Sequence, residues 1–67
     1  MPRKIRQLIA DLEKAGFVNQ GGKGSHRKFK HRNGAQLTLS GGPGEDAHYY
    51  QEKDVRNALE LTREESL

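Results

Sequence analysis

The 67-residue chain has no cysteine and no tryptophan. Without cysteine there is no disulfide framework, no thiolate nucleophile and no Cys-based zinc site. That composition fits a reducing compartment, and a cytoplasmic location is expected. No apolar run approaches the ~18 residues that span a bilayer, and the N-terminus lacks the uninterrupted apolar segment of a signal peptide, so no membrane role is expected. Large apolar side chains are also scarce: Leu, Ile, Val and Phe together number thirteen. A chain this short buries only about 60% of the surface that it exposes when unfolded, so a single domain over residues 1–67 with a thin core is the ceiling. Such sparse hydrophobicity would point to disorder if net charge were high. Net charge is only +3, however, and the apolar residues are periodic.

Charge is unevenly distributed along the chain. Residues 1–34 carry nine Lys and Arg against Asp11 and Glu13, a net of +7, whereas residues 45–67 carry three against seven acids, a net of −4. The basic half suggests a polyanionic partner such as nucleic acid, and the acidic tail argues against a uniformly cationic chromatin or membrane binder.

Periodicity divides the chain into five elements. Ile5, Leu8, Ile9 and Leu12 follow the spacing of one helix face. With Pro2 in the first turn and Gly16 as the left-handed C-terminal residue, this predicts a helix from about residue 2 to 15. Phe17 and Val18 read as a short strand ending in the turn of residues 19–24. A second strand is expected over residues 26–31, a tight turn at Arg32-Asn33-Gly34, and a third strand over residues 35–40. Residues 41–47, GGPGEDA, are a loop by composition. In YYQEKDVRNALEL, Val55, Ala58 and Leu59 share one face of a closing helix. With Gln51 as its N-cap, Tyr50 and Val55 would form a hydrophobic staple. The expected fold is α+β, in the order α-β-β-β-α: a three-stranded antiparallel sheet with both helices on one face. If Phe29 packs beneath those helices with Leu37 and Leu39, alternation turns His26, Lys28 and Lys30 to the uncovered face.

The stretch GGKGSHRKFKH, residues 21–31, carries the chemistry. Glycines let backbone N–H groups approach a phosphate, and neighbouring Lys and Arg neutralise it. An imidazole can give or take a proton at neutral pH. Proton transfer beside a phosphate is what RNA cleavage through the ribose 2′-OH requires. Other readings of these residues are weaker. GGKG lacks the spacing and following helix of a Walker A loop. His26 and His31 lie five apart and diverge along a strand, so no metal site is expected. His31 reads as a turn-proximal surface residue and His48 as a loop or helix-start residue.

Gly22-Lys23-Gly24-Ser25-His26, preceded by an amphipathic helix ending in AGF and followed by a basic strand, a hairpin and YQEKDVRNAL, resembles the HicA family of toxins from bacterial toxin–antitoxin pairs. The resemblance covers essentially the whole chain. It implies a fold like that of double-stranded RNA-binding domains and metal-independent mRNA cleavage that halts translation, with no cofactor. It also implies neutralisation by a HicB-type antitoxin. Separately, the free toxin is expected to be a monomer. Carried over residue by residue, it puts the single catalytic histidine at His26. From the glycine turn and the basic open face around it, Lys23, Gly24, Ser25, Lys28 and Lys30 are the expected RNA contacts. One histidine leaves the second proton transfer without an obvious agent. Lys23 or Lys28 is a candidate for stabilising the phosphorane, and water or Ser25 for the second transfer. The alternative reading is a non-catalytic RNA-binding module using the same basic face.

Overall fold

In the computed structural model, residues 3–22, 24 and 26–65 are described. They form α1 (Ile5–Lys14), β1 (Val18–Asn19), β2 (Arg27–Lys30), β3 (Gln36–Leu39) and α2 (Tyr49–Glu65). The α-β-β-β-α order and the antiparallel β1-β2-β3 meander match the sequence expectation. The expected position of Pro2 in the first helical turn lies outside the described residues.

Core packing follows the two periodicities. α1 buries Ile5, Leu8 and Leu12, and α2 buries Val55 and Ala58. From the sheet, Phe29 and Leu39 join this cluster, with Leu37 packed against it. Phe29 pairs with Leu37, and Arg27 with Leu39, in the β2–β3 register. Cross-strand partners share a face, so the helices cover one face of the sheet. Lys28, Lys30, Gln36 and Thr38 are exposed on the other.

α1 is shorter at its start than the periodicity suggests, for a tertiary reason. The loop of residues 41–47 folds over its N-terminus, where the Ile5 N–H donates to the Glu45 carbonyl at 2.9 Å and the Arg6 N–H to the Pro43 carbonyl at 3.0 Å. These carbonyls satisfy donors that a helix cannot pair internally. Lys4 is consequently extended and bridges to Asp46. At the other end, the Phe17 N–H donates to the Leu12 carbonyl and the Gly16 N–H to that of Glu13, the two bonds of a Schellman motif. Gly16 has the expected positive φ, +102°.

His31 differs from its expected surface position: it is only 7% exposed. Its ring lies against Phe17 with centroids 5.0 Å apart. Nδ1 accepts from the Asn33 N–H at 3.1 Å, which leaves Nε2–H to donate to the Ala15 carbonyl at 3.2 Å. The imidazole therefore joins the β2–β3 turn to the end of α1. It also crowds Gly16, where an added Cβ would sit 3.1 Å from Nε2.

α2 starts earlier than a Gln51 cap implies. His48 occupies the N-cap position, its carbonyl accepting from the N–H groups of Gln51 and Glu52. Gln51, three residues on, returns its Oε1 to the His48 N–H at 2.8 Å, the reciprocal half of a capping box. The staple between Tyr50 and Val55 is accordingly absent: Tyr50 is exposed and Val55 is buried.

Phe29 is the largest fully buried side chain. Phe29→Ala is expected to cost about 3–5 kcal/mol, a large fraction of the stability of so small a domain. Denaturant unfolding measures this, and a loss below about 1 kcal/mol would contradict the packing described.

Candidate active site

The arm between β1 and β2 is shaped before it reaches the histidine. Asn19 Oδ1 accepts from the Gly21 N–H at 2.8 Å, turning the chain locally. The Gln20 N–H then donates to the Lys28 carbonyl while the Lys28 N–H donates to the Gly21 carbonyl. Two residues thus oppose one across the ladder, a bulge of the kind that re-aims neighbouring side chains. Gly21 accommodates it with φ +81°. Gly22 is required for a different reason. A Cβ built there would fall well inside contact distance of the His26 carbonyl oxygen. Only a glycine lets the two backbones approach so closely.

His26 lies one residue before β2 and is exposed, as are Gly24, Lys28 and Lys30. Lys23 and Ser25, expected as RNA contacts, lie outside the described residues. The β2–β3 register, continued one residue outward, places His26 across from Ser40. Both line a groove of about 270 Å³. The segment leading into α2 contributes Glu45, Asp46, His48 and Tyr50 to the same lining. Lys28 and Lys30 do not line it. Side chains two apart on a strand are about 7 Å apart, so Lys28 begins a basic row leading away from the groove along the open face. His26 thus lines the groove at the point where this row begins.

Several contacts set the groove's shape. Gln51 is 4% exposed and donates from Nε2 to the Ser40 carbonyl at 2.8 Å while capping His48. That side chain ties the start of α2 to the end of β3. Arg27 donates to the Gly41 carbonyl at 2.6 Å and holds the loop from the strand side. Asp46 is paired with Lys4 Nζ at 2.6 Å, and Glu45 Oε2 accepts from the Gly42 N–H at 3.0 Å.

His48 is the residue whose proximity sequence reasoning missed. It is exposed, and its ring stacks on that of Tyr50 with centroids 5.6 Å apart and planes 11° from parallel. Gln51 at the third position after it was a usable capping signal. Nothing local, however, reveals that the loop brings His48 to the groove lined by His26. Among the described residues, no three His, Asp or Glu side chains are grouped to hold a metal ion.

A family model described as the HicA toxin of bacterial toxin–antitoxin systems matches residues 5–61. This span includes both α1 and β2 and the glycine-histidine arm between them. No curated protein matches the chain.

Gly22→Ala is expected to displace the backbone at His26. Backbone amide and imidazole NMR shifts should change over residues 20–28 and remain near their original values in α2. Unaltered His26 resonances would show that the close approach is not needed.

Proposed function

Because the chain belongs to the HicA family of toxins from bacterial toxin–antitoxin pairs, we propose that it is a metal-independent endoribonuclease whose catalytic residue is His26. Cutting mRNA would halt translation. The observation that carries this reading is the placement of His26: exposed, lining a groove, next to a glycine-rich stretch and at the head of a basic row.

The chemistry follows from those surroundings. A neutral imidazole takes the proton of a ribose 2′-OH, which then attacks the adjacent phosphorus. Lys28 and Lys30 contact flanking phosphates and neutralise them. Lys23, Gly24 and Ser25 would contact the scissile phosphate from the arm. This reaction leaves a 2′,3′-cyclic phosphate and a 5′-OH, and it draws on no metal-bound water. A HicB-type antitoxin is the proposed partner, and covering His26 is an economical way for it to silence the site.

His26→Ala should lower cleavage of a defined mRNA by about 10²–10⁴-fold, the usual contribution of a positioned acid–base group. Circular dichroism should show an unchanged fold, because the side chain is exposed. EDTA should have no effect on the wild type. Cleavage by His26→Ala at the wild-type rate would overturn the assignment. RNA that is bound yet still intact after long incubation with wild-type protein would favour the non-catalytic module instead.

The open face has its own signature. Replacing Lys28 and Lys30 together with Ala should weaken binding uniformly across RNA sequences. The dependence of log affinity on log salt should become shallower by about one per lysine lost. An unchanged salt slope would place the phosphate path elsewhere.

A further inference from the structure

We infer that His48 supplies the second proton transfer, acting in the same groove as His26; this rests on the nuclease reading above. Cleavage of this kind requires a group that gives a proton to the departing 5′-oxygen as well as one that takes a proton from the 2′-hydroxyl. His26 and His48 line the same groove. Among the described residues, the other titratable ones that line it are Glu45, Asp46 and Tyr50. Both carboxylates are engaged, Asp46 with Lys4 Nζ and Glu45 with the Gly42 N–H. Tyr50 offers its ring face to the His48 imidazole.

The structure also holds His48 in position. The peptide groups on both sides of its Cα are fixed, the N–H by Gln51 Oε1 at 2.8 Å and the carbonyl by the Gln51 and Glu52 N–H groups at 2.9 and 3.1 Å. Gln51 is anchored in turn to the Ser40 carbonyl, at the residue across from His26. One buried amide thus sets the spacing of the strand end that faces one imidazole and the helix start that carries the other. The Tyr50 ring lies nearly parallel to the His48 imidazole, with centroids 5.6 Å apart.

The step balances. The 2′-O–H proton passes to neutral His26 as the 2′-oxygen bonds to phosphorus. The bond from phosphorus to the 5′-oxygen breaks, and the His48 imidazolium delivers a proton to that oxygen. The products are a 2′,3′-cyclic phosphate and a 5′-hydroxyl. Solvent restores both imidazoles to their starting protonation states.

His48→Asn is the informative variant. Asn is a favoured N-cap, and the existing cap uses only the His48 backbone, so α2 should keep its start; thermal melting checks this. With an RNA oligonucleotide carrying the mapped cleavage site, this variant is expected to cut at least about 100-fold more slowly than wild type. The same oligonucleotide with sulfur replacing the bridging 5′-oxygen has a leaving group that departs without a proton. On it, His48→Asn should recover to within about 10-fold of wild type, while His26→Ala stays slowed by at least about 100-fold on both. Wild-type speed for His48→Asn on the oxygen substrate, equal slowing on both substrates, or rescue of His26→Ala instead would each overturn the assignment of His48 alone. A wild-type protein that leaves both RNAs intact would overturn the nuclease reading and this inference together.

Discussion

Burial of Phe29 sets the phase of β2, and the exposed chemistry of the molecule depends on that phase. Alternation along a strand admits only two arrangements, and a slip of one residue would turn every side chain to the other face. With Phe29 fully buried against α1 and α2, Lys28 and Lys30 have no place but the open surface. The β2–β3 register then carries the strand ends outward so that His26 stands opposite Ser40. A core of few large side chains thus decides where the cations go.

A second constraint acts where the chain leaves β3. Residues 41–47 cap α1 with backbone carbonyls, and Gln51 joins β3 to the first turn of α2. Each satisfies polar groups that would otherwise be costly to remove from water. The groove beside His26 lies between these hydrogen-bonded connections and is bounded by them. His31 performs the same kind of service on the far side, giving an α1 terminal carbonyl and a turn N–H their partners. The three histidines therefore divide their work by location: His31 is structural, whereas His26 and His48 remain exposed at the groove.

Glycine placement explains how a small chain combines close approach with a short turn. Gly16 ends α1 in a left-handed conformation and leaves room for the His31 ring. Gly22 lets the arm lie against the His26 carbonyl. Replacing either would move a histidine, though in one case the structural residue and in the other the proposed catalytic one.

Much of this protein was legible in its residue order because the relevant physics is local. The spacing of Ile5, Leu8 and Leu12 marks α1, Gly16 marks its end, Asn33-Gly34 marks the tight turn, and alternation around Phe29 separates core from solvent. The resemblance carried by the glycine-serine-histidine step pointed to the family that the model match supports. Features that depend on distant partners were not legible. The buried state of His31 needs the Ala15 carbonyl, and the late start of α1 needs carbonyls some forty residues further along. The earlier start of α2 rests on Gln51, whose side chain is fixed by Ser40. Meeting of His26 and His48 at one groove requires the loop path and the strand register at once. Residue order determined the elements and the face each buries, since helix and strand periods are properties of neighbouring residues. Tertiary structure alone decided which histidine is enclosed and which two share a surface, because hydrogen bonds between remote segments set those distances.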